Sequence, residues 1–208
     1  MEPLTDDEPL PAGAFGAWLD RTEVALRGDG DADVPCGGCT ACCTSSQFVH
    51  VGPDDADALA RIPAELLFPA PRRPEGHKVM GYDERGHCPM LVDGACSIYE
   101  HRPRTCRSYD CRVFPAAGLG PDADAQPAIA ARVGRWRFDE DADDRVRHDA
   151  VRAAADWVRA HREAIPDALV PTNPTQHAVL AIEAHRLFLA GVPAVEDVRA
   201  HLESLGDG

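Results

Sequence analysis

The sequence lacks the motifs by which the common classes of enzyme are recognised. It has no glycine-rich phosphate-binding loop, no nucleophile elbow and no His-Glu-x-x-His zinc-protease helix. Internal repeats and low-complexity tracts are absent as well. These absences argue against an ordinary hydrolase or a nucleotide-dependent enzyme, and they leave open whether the chain catalyses any reaction.

Long apolar runs are also missing. No stretch approaches the roughly 18 consecutive apolar residues that a transmembrane helix needs. The segment from Met1 to Pro11 is acidic and contains proline, which is unlike a secretory signal. We therefore expect a cytoplasmic protein that makes no contact with a membrane.

Positive charge is scarce. The chain has 21 lysines and arginines against 35 acidic residues, and its formal net charge is −14. Nucleic-acid binding depends on basic side chains that displace counterions from phosphates, so we expect no nucleic-acid partner. A local basic strip remains, formed by Arg102, Arg104, Arg107 and Arg112. It fits either a solvated helix face or a set of charges that offset a metal–thiolate site.

Cysteine, in contrast, is concentrated in one stretch. The eight cysteines are Cys36, Cys39, Cys42, Cys43, Cys88, Cys96, Cys106 and Cys111. Isolated free cysteines behave as small buried hydrophobes and have no reason to cluster. A metal ion, an iron–sulfur cluster or a set of disulfides would each explain the clustering.

The spacing of the first cysteines favours a metal. Two residues separate Cys36 from Cys39 and Cys39 from Cys42, and this gap lets a tight turn aim successive sulfurs at one point. Disulfides are the weaker interpretation because cytosolic thiols are normally kept reduced. Cys43 directly follows Cys42, and neighbouring side chains diverge, so we expect these two thiols to serve different sites or one of them to be spare.

The downstream cysteines complete a recognisable pattern. Cys88-Pro89 is followed by apolar residues, and a further segment before Cys111 reads Cys96-x-Ile98-Tyr99-x-x-Arg102-Pro103-x-x-Cys106. Together with the Cys-x2-Cys-x2-Cys-Cys run, these residues resemble the CxxCxxCC cysteine-cluster family, whose members are described as zinc- or iron-chelating domains. The resemblance covers residues 34–115 and implies that the eight cysteines bind metal. Among them we rank Cys43 and Cys111 last as ligands.

Three functions are compatible with this pattern. In the first, the thiolates hold zinc or iron in a structural or storage-like site without turnover. In the second, an iron–sulfur cluster such as [4Fe-4S] serves electron transfer or group transfer, because the chain is similar to a flagellin lysine methylase around its cysteines. In the third, the chain is a thiol–disulfide redox sensor in which Cys42 or Cys43 bridges reversibly to a downstream cysteine. No protein partner is indicated.

The residue pattern predicts an α+β fold: a small, irregular cysteine-rich core with short strands, wrapped by helices and followed by a helical subdomain. We expect three segments: residues 1–33, a disordered tail and a helix; residues 34–115, the metal-binding core; and residues 116–208, a linker and a mainly helical region. Disorder is expected over residues 1–12, because they are rich in Asp, Glu and Pro.

Apolar periodicity and turn residues predict the individual elements. Predicted helices cover residues 15–27, 54–62, 139–165, 174–189 and 193–205, and another begins at Pro103. Predicted strands cover residues 48–51, 77–82 and 88–92, with one more within 127–138. Asp54 is the expected N-cap of the second helix, and Asp93-Gly94 the expected turn of a hairpin that brings Cys88 and Cys96 together. We expect Trp18 and Tyr99 in the core, and the histidines after residue 140 on helical surfaces.

Overall fold

The computed structural model, which describes residues 8–32, 34 and 38–206, consists of short strands and helices. The helices are α1 Phe15–Arg27, α2 Ala56–Leu59, α3 Arg104–Ser108, α4 Val113–Ala116, α5 Pro127–Val133, α6 Ala142–Ala160, α7 Pro174–Ala184 and α8 Val195–Gly206. The strands are β1 Leu10–Ala14, β2 Val49–Val51, β3 Leu67–Pro69, β4 Lys78–Met80, β5 Leu91–Val92, β6 Ala95–Cys96 and β7 Trp136–Asp139. The predicted α+β class is confirmed. Within the ranges described, none of the helices combines the length and apolarity needed to cross a bilayer.

The chain forms two compact units that interleave along the sequence. One, the cysteine unit, comprises residues 24–110 and 123–132. The other, the helical unit, comprises residues 8–23, 111–122 and 133–206. The division into three consecutive segments, which rests on composition along the sequence, stays a prediction.

The helical unit contains a parallel strand pair that the sequence analysis missed. Strand β1 pairs with β7, and Leu10 lies opposite Trp136. The side chains of Leu10 and Ala12 are buried. The expectation of disorder over residues 1–12 is therefore wrong from Leu10 onward, while residues 1–7 lie outside the described part of the chain. Acidic residues and prolines dominate the average composition of this segment and conceal a short alternation of buried and exposed positions.

Helix α6 follows the predicted periodicity over most of its length. Asp141 caps it, because its carboxylate accepts a hydrogen bond of 2.8 Å from the amide of Asp144. Its buried face includes Ala154 and Trp157, as the spacing predicts. Val146, which the pattern placed on the same stripe, is instead 53% exposed.

Two histidines of the helical unit are buried, whereas the sequence analysis placed them on helical surfaces. His148 stacks on the ring of Phe15 with 4.2 Å between ring centroids, and its imidazole Nδ1 contacts a carboxylate oxygen of Glu140. The Nδ1 of His185 lies 2.6 Å from the carbonyl oxygen of Ile182. Each imidazole can be buried because a neighbouring oxygen provides a hydrogen-bond partner for one of its ring nitrogens. A helical wheel shows only which face a residue occupies and cannot predict such a partner.

The strand expected within residues 127–138 is divided into two elements. Residues 127–133 form α5, and only Trp136–Asp139 form a strand, β7. Proline at the first helical position and three alanines favour a helix over this segment.

In the cysteine unit, a three-stranded antiparallel sheet has the order β2-β4-β3. Met80 of the central strand lies opposite both Val49 and Leu67. The apolar core beneath consists of Val49, Val51, Ala58, Ile62, Met80 and Ile98. Tyr99, expected in the core, is 43% exposed.

Asp55 connects two segments of the cysteine unit, the segment after β2 and the start of α3. One carboxylate oxygen accepts a hydrogen bond of 2.9 Å from the amide of Gly52, and the other accepts one of 2.7 Å from the amide of Arg104 at the start of α3. Asp55, and not the expected Asp54, occupies the N-cap position of α2, although its side chain caps no amide of that helix. Sequence reasoning missed Asp55 because two adjacent aspartates before a helix look equivalent.

Replacing Leu10 by alanine tests the strand pair β1–β7. Because Leu10 is buried opposite Trp136, we expect Leu10→Ala to lower the free energy of unfolding by about 2 to 3 kcal/mol in urea denaturation. Glu8→Ala is the control, since the Glu8 side chain is exposed and only its carbonyl oxygen contacts Arg135. Equal stability of Leu10→Ala and the unsubstituted protein would restore the prediction of a disordered tail.

Two adjacent aspartates give a matched test of the Asp55 contacts. We expect Asp55→Ala to lower the free energy of unfolding by about 2 kcal/mol, because it leaves two amides without their carboxylate acceptor. Asp54→Ala should change it by less than about 0.5 kcal/mol, since Asp54 is exposed. Chemical denaturation of both variants is the measurement, and a larger loss for Asp54→Ala would contradict the assignment.

Candidate metal centre

Four thiols from four separate segments meet in the cysteine unit. Cys43 lies in a 3-10 turn over residues 41–44, Cys88 in the loop before β5, Cys96 at the end of β6 and Cys106 within α3. None of the four is in a disulfide. The segments are held together by hydrogen bonds between loops and by packing on the shared core.

The first and second loops are joined through their backbones. The amide of Cys88 donates a hydrogen bond of 2.7 Å to the carbonyl oxygen of Cys43. The amide of Ser46 donates a hydrogen bond of 2.9 Å to the carbonyl oxygen of Gly86. Ser46 and Gly86 both have positive φ angles, so each loop turns sharply at this point. The result places Cys43 beside Cys88 although 44 intervening residues separate them in the sequence.

The predicted hairpin forms, with shorter strands than expected. Asp93 and Gly94 both have positive φ angles, as a two-residue hairpin turn requires. Cys96 lies opposite Leu91, while Cys88 precedes the strand and its carbonyl oxygen accepts a hydrogen bond from the Leu91 amide. Cys88 and Cys96 are therefore neighbours through the loop and not as a cross-strand pair.

Helix α3 supplies the fourth thiol. Pro103 stands at its N-cap position, and the amide of Cys106 donates a hydrogen bond of 2.9 Å to the Pro103 carbonyl oxygen. Because the Arg104 amide is bound to Asp55, the helix begins at a defined point of the unit. The side chain of Cys106 packs against the apolar core, as do those of Cys88 and Cys96.

The four sulfurs are close enough to influence each other electrostatically. Each pair among the four interacts electrostatically, so that a negative charge on one sulfur raises the pKa of its neighbour. Burial is the main cause that raises the pKa of Cys43 to about 11 and that of Cys106 to about 12, and neighbouring thiols add to both shifts. Burial also raises the pKa of Cys88. The thiols of these three residues are neutral near pH 7, and a bound cation would remove the mutual repulsion of their thiolates.

The donor set fits a soft or borderline metal, although the thiols are not arranged as a formed coordination shell. Over the described residues, no group of three or more His, Cys, Asp or Glu side chains could hold a metal ion as placed. Thiolate sulfur selects zinc and iron–sulfur centres over hard cations. Zinc binding would require the four sulfurs to converge to about 2.3 Å from one ion.

The remaining cysteines have different surroundings. Cys39 acts electrostatically on Cys43, whereas Cys42, next to the half-buried Cys43, is exposed. Cys36 falls outside the described residues. Cys111 belongs to the helical unit, where its side chain is buried and the indole Nε1–H of Trp136 donates a hydrogen bond of 3.1 Å to its sulfur.

The basic strip expected from the sequence is not a single feature. Arg107 is paired with Asp31 at 3.1 Å, and Arg104 is exposed with its guanidinium against Gly28. Arg112 is buried in the helical unit, where it donates to the carbonyl oxygen of residue 12. Arg102 is the member whose charge acts on Cys43 and Cys106.

Comparison with curated proteins and with solved structures finds no significant match. A family model matches residues 35–124, under half of the 208-residue chain, and it is described as "CxxCxxCC: Putative zinc- or iron-chelating domain". The match supports metal binding in general, and it includes the four clustered thiols. The resemblance inferred from cysteine spacing is thereby confirmed as a match of residues 35–124 to this family model.

Proposed function

We propose that the chain binds one zinc or iron ion through the thiolates of Cys43, Cys88, Cys96 and Cys106. The observation that carries the proposal is the meeting of these four thiols from four distant segments, each within electrostatic range of the other three. As thiolates the four side chains would repel one another, and a bound cation would remove that repulsion.

The surroundings favour a closed site that is structural or storage-like. Four thiolates fill the tetrahedral coordination of zinc and leave no open position for a substrate. Cys88, Cys96 and Cys106 also pack on the apolar core, which limits the access of water. Metal binding should stabilise the cysteine unit, because the ion would connect elements that are otherwise joined by a few short strands and loop hydrogen bonds.

The redox-sensor alternative is less well supported by this site. A reactive cysteine needs a lowered pKa and access to solvent. Burial instead raises the pKa of Cys43 to about 11 and that of Cys106 to about 12. A cytoplasmic location, expected from the sequence, forms part of the proposal because it keeps the ligands reduced.

Metal content distinguishes zinc from an iron–sulfur cluster. For protein purified without oxygen, we expect about one zinc or iron ion per chain by elemental analysis and no visible colour if the metal is zinc. Acid-labile sulfide with broad visible absorption would instead support the iron–sulfur alternative, including an electron-transfer or methylase-like role. Protein that takes up neither metal, even after reduction and incubation with Zn²⁺ or Fe²⁺, would contradict the proposal.

Cys42 and Cys43 give a matched pair of substitutions. We expect Cys43→Ser to weaken zinc binding by at least about tenfold, because it removes one of four thiolates, while Cys42→Ser, at an exposed neighbouring position, retains full metal content. Elemental analysis and competition with a chromophoric chelator are the measurements. The opposite result would favour the Cys36, Cys39 and Cys42 ligand set that the spacing alone suggested.

A further inference from the structure

Two histidines of the cysteine unit are joined ring to ring. The Nε2 of His50, on β2, lies 2.9 Å from the Nδ1 of His77, the residue that precedes β4. The two ring planes are inclined by only 23° and their centroids are 5.1 Å apart, so the imidazoles meet edge to edge and not face to face. This is the geometry of a hydrogen bond from the N–H of one imidazole to the lone pair of the other.

The strand register places the pair at the end of the ladder between β2 and β4. His50 lies opposite Val79, and the ladder ends one pair further on, at Val51 and Lys78. Because Val49 and Val51 belong to the apolar core, the intervening His50 points to the other side of the sheet. The histidine pair therefore extends the contact of β2 by one residue, onto the loop that joins β3 to β4.

This loop, over residues 70–77, is closed at its base and is not relaxed at its tip. The amide of Ala70 donates a hydrogen bond of 3.0 Å to the carbonyl oxygen of His77. Arg72 has a φ of 58°, which is unfavourable for a residue other than glycine. Neither Arg72 nor Arg73 forms an ion pair within the part of the chain that the structure describes. The histidine pair thus holds a loop whose backbone and adjacent like charges favour a looser arrangement.

The hydrogen bond between the rings requires that at least one imidazole is neutral. The accepting nitrogen contributes a lone pair, and a second proton on the pair occupies that lone pair. Both rings are then cations, so the hydrogen bond is lost and the rings repel each other.

The charged groups around the pair do not favour this second proton. Arg73 faces His50 from the loop, and Asp55 faces it from the segment after β2. Both carboxylate oxygens of Asp55 already accept hydrogen bonds from backbone amides. Glu75 is exposed and forms no ion pair with either histidine among the described residues, and Lys78 adds a positive charge at the start of β4. Burial, the neighbouring imidazole and Arg73 together lower the pKa of His50.

We propose that the pair of His50 and His77 is a pH-sensitive latch, which holds the loop over residues 70–77 against β2 at neutral pH and releases it when both imidazoles are protonated. Because the pKa of His50 is lowered in the latched state, the released state binds more protons. The latch is therefore stable above the ordinary imidazole pKa of about 6.5 and weakens as the pH falls below it. This role is independent of metal binding by the thiols.

Amide exchange at two pH values tests the latch. The Ala70 amide reports opening of the loop, because it donates to the carbonyl oxygen of His77. In hydrogen exchange followed by NMR and corrected for the intrinsic rate, we expect its protection to fall about fivefold from about pH 7.5 to about pH 5.5, the effect of losing one ordinary hydrogen bond. In His77→Gln the side chain stays uncharged and can still bond to His50, so protection should change by less than about twofold.

Two controls separate local release from general acid sensitivity. His101→Gln replaces another histidine of the same unit, which is paired with Asp57 and lies outside the latch, and it should retain the fivefold change. The Ile62 amide, bound to the carbonyl oxygen of Ala58, should keep its protection over the same pH range. An equal loss of protection at Ile62 and Ala70 would show general unfolding and overturn the inference.

The imidazole resonances provide a measurement that needs no substitution. We expect one ring of the pair to take up its proton well below about pH 6.5, and the Ala70 amide to lose its protection over the same pH range. If His77→Gln does not fold, the coincidence of these two profiles in the unsubstituted protein decides. Independent titration of both rings near their ordinary pKa, constant protection of Ala70, or an unchanged pH dependence in His77→Gln would each overturn the inference.

Discussion

The structure of the cysteine unit depends on the cost of removing several thiols from water at one point. Burial and mutual repulsion disfavour the thiolate form, so the pKa of Cys43 and that of Cys106 are both strongly raised. Proximity that is unfavourable for thiolates alone becomes favourable once a cation takes the place of their protons. This physical argument underlies the proposal that the loops form the framework of a metal site.

Few interactions hold this framework. The amide of Cys88 bound to the carbonyl oxygen of Cys43 connects two loops, and Asp55 connects the start of α3 to the segment after β2. The strands of the unit are two or three residues long, so sheet formation alone contributes little stability. Polar contacts between loops, supplemented by metal coordination in the proposed function, supply what the small core cannot.

Charge balance explains why neighbouring arginines differ. Arg107 neutralises Asp31 and Asp55 and so stabilises the polypeptide that leads into the first cysteine loop. Arg102 forms no ion pair with a carboxylate in the part of the chain that the structure describes, and its guanidinium lies against the ring of Tyr99. Arginines that are close together in the sequence thus have different partners, because Arg102 precedes α3 and Arg107 lies within it.

The sequence alone determined the class of chemistry and the longer elements. Cysteine spacing is a local property of loops, and the period of α6 reflects one buried face, so both can be inferred from neighbouring residues. Only the tertiary structure decided which thiols meet: Cys43 joins the cluster while adjacent Cys42 is exposed, and Cys111 lies beside Trp136 in the other unit. These outcomes depend on hydrogen bonds between distant loops and on strand pairing such as that of Leu10 with Trp136, and neither leaves a periodic signal in the sequence.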